Sequence, residues 1–535
     1  MLLRDNFIGS TTLIENECIP GLNIRDSPSK ILSATDDKNL SMEIAEILSK
    51  NEQPAYGDEI VSIEMGNREV FVISDLHIAA GLNVNGNYDG TENFFADQSF
   101  SRFLLHLNAK KAPDKNGLLI INGDFVDFLR IRNIPQTPED LSTWSRILTN
   151  LGIDRSPAQL EATISKKELE YGLRTDDFKS IWKLYICRKG HEQVFQSLGR
   201  WLMQGNGLII VKGNHDLEWY WRKLRDYLRL LLATCIAEIR STNTETELLN
   251  TVLPRLQFAD DKLLIEKKVY IEHGHRYENF TTVDGPPVLQ NGTELYLPFG
   301  SFFNRYLINR IELAYPYIND VRPRQKILPI LIRERFPLAI NMLFKYIPFT
   351  LLIIPKKQYA YALRYLMQFI FIILIPVGIT IFAIYESYKH QPVPLSVPSG
   401  KGSFIWTYIL PQLKNLVFLS LSYFLGRLFS IFSLSAPTSF YPDAEIIFDA
   451  YAEVEIVSFG HTHDPEQKKS GAKGYYNTGT WVPVYELDAA NVRIDKTFTF
   501  LQLFKNGSGN IQTNGLMRWN DDAGRYEAME LRDKK

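Results

Sequence analysis

Four short apolar runs punctuate the chain, and each ends abruptly in polar residues. Val70–Ile73 leads into Ser74-Asp75-Leu76-His77, and Leu118–Ile121 into Asn122-Gly123-Asp124-Phe125-Val126-Asp127. Leu208–Val211 leads into Lys212-Gly213-Asn214-His215-Asp216, and Val454–Phe459 into Gly460-His461-Thr462-His463. Short apolar runs bounded by Gly and polar residues read as buried strands. A further run over 268–272 delivers His273-Gly274 in the same way. Strand alternation predicts Asp75 and His77 on one face of a strand end. Gly123, Gly213 and Gly460 are expected to permit sharp turns that put the next side chain at the strand tip. Between these runs the period shifts toward that of a helix. Phe100, Phe103, Leu104 and Leu107 predict a helix over 98–108, and Leu40, Ile44 and Leu48 one over 40–50. A long helical elaboration occupies about 130–205, with Trp144, Trp182 and Trp201 in it. Another helix is expected just after Asp216, and Gln257–Asp261 reads as a turn. Strands alternating with helices predict an α/β fold with its site at the strand carboxyl ends.

From 281 to 444 the pattern changes. Tyr365–Tyr385 carries no charged residue, and no acid falls between Arg335 and Glu386. A run of about 20 apolar residues matches the bilayer core. Pro376 and Gly378 are tolerated in membrane helices, and the terminal tyrosines suit the two interfaces. A second apolar stretch, 404–432, is interrupted by Lys414 and Arg427, which are costly in a span. A Pro- and Gly-rich linker joins the two, so 365–385 and 404–432 predict a membrane hairpin. Lys345, Lys356, Lys357 and Arg364 flank it on one side, against Lys389 and Lys401 in the turn. That bias puts the flank, and the catalytic halves with it, in the cytoplasm. A helix lying in the interface and a soluble helical cap are the alternatives. Tyr296–Arg310, with Phe299, Phe302, Phe303 and Tyr306 among arginines, reads equally as a membrane-surface helix or as packing.

Composition narrows the setting. The 535 residues carry 59 Lys+Arg and 61 Asp+Glu, a net charge of −2, so no basic field points to nucleic acid. Cys18, Cys187 and Cys235 are scattered and odd in number, which argues against a disulfide framework or a zinc ribbon. The first residues lack a signal-peptide pattern, in keeping with the expected cytoplasmic catalytic part. The length leaves room for a tail or peripheral cover over 1–65, a core over 66–280, a helical insert over 281–444 and a second core part with a C-terminal tail over 445–535. No oligomeric state follows.

The polar motifs form one series: Asp-x-His, Gly-Asp-x-x-Asp, Gly-Asn-His-Asp, His-Gly and Gly-His-x-His. In this order they resemble the calcineurin-like metallophosphoesterase superfamily, over about 68–280 and 445–505. The resemblance implies a β-sandwich flanked by helices, here interrupted by the insert. It implies two divalent metal ions bridged by Asp124. Asp75, His77 and His463 would complete one metal's ligands, and Asn214, His273 and His461 the other's. Oxygen and imidazole ligands without thiolate fit manganese, iron or zinc. A bridging water acidified by both ions would be the hydroxide that attacks phosphorus in line. His215 would serve the leaving group, with Asp216 orienting it and Asp127 structural or one layer removed. Arg130 and Arg132 are placed to reach a phosphate. His275 is expected to line the site rather than ligate, and His106, His191 and His390 to play no part in it.

The His-Gly element and the membrane setting look like the UDP-diacylglucosamine hydrolase branch, which cleaves a pyrophosphate. That branch carries Arg where this chain has His215, and its lid is short. The favoured substrate is therefore a lipid-linked phosphodiester or pyrophosphate. A membrane-tethered protein or nucleotide phosphatase, and an inactive scaffold of the same fold, are the alternatives.

Overall fold

A computed structural model describes residues 38–50, 60–354 and 439–529, apart from short gaps, and isolated positions between 359 and 420. Its first seven strands are β1 (Val61–Ile63), β2 (Arg68–Ile73), β3 (Asn116–Asn122), β4 (Gly207–Val211), β5 (Leu256–Ala259), β6 (Lys262–Ile265) and β7 (Val269–Glu272). The insert contributes β8 (Val321–Arg322). After it come β9 (Ile456–Phe459), β10 (Glu466–Ser470), β11 (Lys473–Asn477), β12 (Tyr485–Glu486), β13 (Asn491–Val492), β14 (Thr499–Lys505), β15 (Ile511–Asn520) and β16 (Arg525–Ala528).

Two large sheets result. One has the order β16-β15-β14-β2-β3-β4-β5, and the other β1-β6-β7-β9-β11-β10. Strands β2 to β5 run parallel, as do β7, β9 and β11. The alternation in β2 and β3 shows why the sheets stack. Val70, Val72, Leu118 and Ile120 meet Leu263, Ile265, Val269 and Ile271 of the second sheet in one apolar layer. Phe71, Ile73, Leu119 and Ile121 point the other way, into a cluster with the helices Asp97–Lys110, Asp177–Gly190, Glu192–Met203 and Arg222–Arg240. The helix Tyr441–Ala450 covers the far face of the second sheet through Ala444, Ile447 and Phe448. This is a mixed α/β fold in which parallel strands are buried on both faces.

Three local expectations are corrected. Gln257–Asp261 is not simply a turn. Leu256–Ala259 is an edge strand pairing with β4, because Leu256 and Phe258 find apolar neighbours under the helices. Of the tail and the peripheral cover expected over 1–65, the described part is not a tail: it contributes β1, which pairs with β6, and the helix expected over 40–50, observed as Lys38–Lys50 with Ile44 and Leu48 buried. Strand β2 stops at Ile73, so Asp75 and His77 lie beyond it, in a loop.

The insert is partly legible. Phe299–Phe303, a wide π turn at Asn304–Ile308 and Asn309–Glu312 form one helical stretch. Phe299, Phe302, Phe303, Tyr306 and Leu307 are buried there with Leu129, Tyr171 and Leu217 of the core, which decides for packing over a membrane surface. A three-stranded ribbon pairs Val321 with Tyr485 and so ties the insert to the C-terminal part. The expected hairpin, 365–385 and 404–432, lies outside the described residues save for isolated positions. Among the described residues, one stretch long and apolar enough to cross a membrane is Phe336–Ile353, upstream of that hairpin. Its inner face, with Leu338, Ala339 and Met342, packs on the insert cluster. Its outer side exposes Phe336, Ile340, Phe344 and Leu352, with Asn341 and Lys345 among them, and Ile332 is exposed on the preceding helix. Arg333, Arg335 and Lys345 accompany these side chains, with Glu334 the one acid.

Candidate metal centre

Five strand ends converge on one point between the sheets. Asp75 and His77 follow β2, Asp124 follows β3, Asn214 and His215 follow β4, His273 follows β7, and His461 and His463 follow β9. Nε2 of His77 lies 3.5 Å from Asp124 Oδ2 and 3.0 Å from His463 Nε2. His463 Nε2 is 3.4 Å from Asp75 Oδ1, and His273 Nε2 is 3.2 Å from Asp124 Oδ2. Three groups of potential ligands emerge: Asp75, His77 and His463; Asp124, His273 and His461; and His77, Asp124 and His215. The first two correspond to the half-sites expected from the motifs, Asn214 apart.

The backbone pays heavily for this convergence. Asp75, His77, Asp124, His461 and His463 all have φ between 49° and 69°. Left-handed geometry is unfavourable for residues with a Cβ and gathers at functional sites. A strand places Asp75 and His77 on one face by alternation; the loop does it by two left-handed residues instead. Hydrogen bonds keep the loop there. His77 N–H donates to the Asp124 carbonyl, and both Trp481 N–H and Thr480 Oγ1 donate to the Asp75 carbonyl.

The glycines have a second reason to be glycine. A Cβ on Gly123 would lie 2.3 Å from His273 Nδ1, one on Gly213 2.2 Å from Asp124 Oδ1, and one on Gly460 2.6 Å from Asp75 Oδ2. Each motif's glycine makes room for a ligand from another motif. Of the three, Gly123 alone has positive φ, so turn freedom explains one and close approach explains all.

Hydrogen bonds at the edge of the cluster set which atoms face inward. His273 Nδ1 sits 2.7 Å from the Asn122 carbonyl, so it donates there and Nε2 is the nitrogen that faces the cluster. Asp75 Oδ2 accepts from His461 N–H and Asp124 Oδ1 from His215 N–H, which leaves the other oxygen of each carboxylate for the cluster. Buried Asp75 Oδ1, His273 Nε2 and Asn214 Oδ1 have no hydrogen-bond partner. Unpaired buried acceptors are costly unless a cation meets them. Burial pushes the Asp75 and Asp124 carboxyls up, but the surrounding imidazoles, His273 foremost, hold both well below the usual range. Burial opposes charge on His273, yet Asp124 and Asp75 raise it to about 9. The pocket is one that attracts positive charge, and its oxygen and imidazole donors fit a divalent transition metal.

Glu278, absent from the motif reading, lies 2.6 Å from His461 Nε2 and is buried. That carboxylate fixes the ring so that Nδ1 faces the cluster, the usual arrangement behind a metal-binding histidine. His275 is buried beside His273 and His461, and burial holds it well below the ordinary imidazole range. Among residues expected outside the site, His191 is buried between Glu92 and Asp97 at 3.0 and 2.9 Å, bracing the loop behind His77.

Two role assignments change. Asp216 does not orient His215: its oxygens accept N–H bonds from Gly213, Phe125 and the Trp219 indole. Burial, then the charge of Asp124, pushes its carboxyl up to about 7. Asp127 takes the orienting place, with Oδ2 2.8 Å from His215 Nδ1 and 3.2 Å from His77 Nδ1. Nor does Arg130 face a substrate. It is 1% exposed and bonded to Asp127 and Glu312, since two buried carboxylates outcompete solvent for it. Arg132 is half-buried and donates to the Glu170 carbonyl, away from the ligand cluster.

Residues 69–297 match the family model for calcineurin-like phosphoesterases. The match ends before His461 and His463, which join the cluster from beyond the insert. No curated protein and no solved structure matches the chain.

Proposed function

Because residues 69–297 are a calcineurin-like phosphoesterase domain, the chain is a metal-dependent hydrolase of phosphoesters; we propose that it works with two divalent ions on a lipid-linked phosphodiester or pyrophosphate at a membrane face. The observation that carries the reading is the set of inward atoms left unpaired in a buried pocket of carboxylates and imidazoles. Asp75, His77 and His463 would hold one ion, Asn214, His273 and His461 the other, and Asp124 would serve both. Manganese, iron and zinc suit these donors. Divalent ions bound there would acidify water for attack on phosphorus and offset charge on the phosphoryl oxygens.

The chain's own residues do the rest. His215 is only partly buried, with Nδ1 held by Asp127, so Nε2 is the atom left to give its proton to the departing oxygen. Asp127 stabilises the imidazolium that this requires. Asp216, braced by backbone N–H groups, keeps the turn carrying His215 in place.

Membrane attachment is supported by the exposed Phe336, Ile340, Phe344 and Leu352, large apolar side chains left outside while the inner face is already packed. The arginines and Lys345 beside them would suit an anionic cytoplasmic leaflet, and the basic flank before 365 supports a cytoplasmic catalytic part. A complete ligand set argues against the inactive scaffold.

The deciding experiment is a substrate panel on metal-reconstituted protein. It includes an aryl phosphodiester, an aryl phosphomonoester, a nucleotide, a phosphopeptide and a detergent-solubilised lipid pyrophosphate. Preference for the lipid substrate, lost in chelator, supports the proposal. Preference for the nucleotide or phosphopeptide replaces it with the tethered-phosphatase reading, and metal-independent turnover rejects both.

A further inference from the structure

The helical stretch Phe299–Glu312 belongs to the insert, yet it touches the loops that carry His215 and Asp127. Ser301 Oγ donates to the Asn214 carbonyl at 3.0 Å, and Asn309 Nδ2 to the Leu129 carbonyl at 2.7 Å. At its end Glu312 takes the guanidinium of Arg130 in two bonds, 2.7 and 3.3 Å. Arg130 Nε lies 3.1 Å from Asp127 Oδ2, the oxygen that holds His215 Nδ1. Arg130 Nη1 also donates to the Thr91 carbonyl, so the guanidinium is fixed on three sides. Glu312, Arg130 and Asp127 are each no more than 1% exposed.

We propose that Glu312 is a positioning residue for the hydrolysis: the insert, through Glu312 and Arg130, holds the Asp127 carboxylate at the angle that aims His215 at the leaving group. This rests on the reading of His215 given above. A buried arginine between two carboxylates is a rigid link, because its planar fork has few alternative geometries. A buried ion pair need not add stability; replacing both partners by apolar residues is often neutral. Orientation of Asp127 is what such a pair can supply and an apolar pair cannot.

Turnover is measured at saturating metal for two aryl phosphodiesters, one with a good and one with a poor leaving group. His215→Ala sets the scale, with a loss of about 10²–10⁴-fold for the poor leaving group and less for the good one. Glu312→Gln should lose about 10–100-fold on the poor leaving group, the range for residues that orient others at metal sites, and little on the good one. Glu312→Asp should recover part of this. Arg130→Met with Glu312→Met removes the link while keeping an apolar fill and leaves Asp127 held by His77 and His215, so it should keep the defect, with thermal unfolding used to check that it folds. In parallel, exchange of the His215 Nδ1 proton with water, followed by NMR and assigned by its loss in His215→Ala, should quicken in Glu312→Gln. Equal losses on both esters, or a double variant restored to wild-type behaviour, would overturn the proposal. Unchanged proton exchange would overturn it even if neither ester is a substrate, an outcome that counts separately against the phosphodiesterase reading.

Discussion

The sandwich core and the helical insert solve opposite problems with the same chain. In the core, polar side chains are driven into the apolar junction of two sheets, and five of them accept left-handed backbone to get there. In the stretch 327–354, apolar side chains fill both an inner, packed face and an outer, exposed one. The first arrangement leaves buried acceptors that a cation would satisfy; the second, among the described residues, leaves apolar side chains without a partner outside the protein. Each region is thus incomplete in its own way: the donor set of one suits a cation, and a lipid surface is the neighbour proposed for the other. The helical stretch 299–312 joins them, since it packs with the insert while holding the catalytic loops.

The sharpest break in this contrast is Asp124→Asn. It should abolish hydrolysis and leave the thermal unfolding of the chelated protein little changed, because the two sheets are held by apolar layers. An active Asp124→Asn enzyme would remove the cation from the core's side of the comparison. Glu278→Gln should come next, weakening metal affinity by about 10–100-fold through the loosened His461 ring. Metal titration followed by activity reads this; wild-type affinity would show that the ring is held without Glu278. On the insert side, Phe344→Asp together with Leu352→Asp should lower binding to anionic phospholipid vesicles in a sedimentation assay. Turnover of a soluble aryl ester should stay at the wild-type level. Undiminished vesicle binding would move the lipid contact to other parts of the chain.

The smallest effect concerns how the core is braced. Burial opposes charge on His191, but Glu92 and Asp97 outweigh it and raise the imidazole to about 10. Its folded value lies above the unfolded one, so the stabilisation is fully present below about pH 6.5 and is lost as pH rises toward 10. Chemical unfolding between pH 6.5 and 9.5 should show falling stability in the wild type and a flatter profile in His191→Gln. Parallel profiles would assign the fall to other groups.

The strand ends and their ligand types were legible in the sequence because apolar runs and the residues after them are local facts. Asp75, His77, Asp124, His273, His461 and His463 could be picked out that way. The roles of the two remaining aspartates could not. Asp127 and Asp216 each follow a motif glycine by a few residues, and nothing local says that Asp127 faces His215 while Asp216 faces backbone N–H groups. Glu278 and Glu312 carry no signal at all, since each is defined by one contact to a distant residue. Arg130 reads in the sequence as a residue that could reach a phosphate for the same reason. The left-handed backbone at the ligands was also invisible, because Asp and His at such positions obey tertiary contacts rather than propensity. The glycines were legible, though for a partial reason: they give way to side chains from other motifs as well as permitting turns.

The strand order of the second sheet bears on how the protein is made. Strand β9 lies between β7 and β11, and residues 273–455 separate its first residue from the end of β7. Synthesis at about 5–20 residues per second leaves β7 with an open edge, on the order of ten seconds or more, until β9 leaves the ribosome. An unpaired apolar edge is a template for wrong pairing. Meanwhile the apolar insert emerges ahead of the strand that would close the sheet. A nascent chain halted near residue 440 should therefore bind chaperones more strongly than one halted near 520, and early capture of the insert by a bilayer would shelter the half-built sheet from its neighbours.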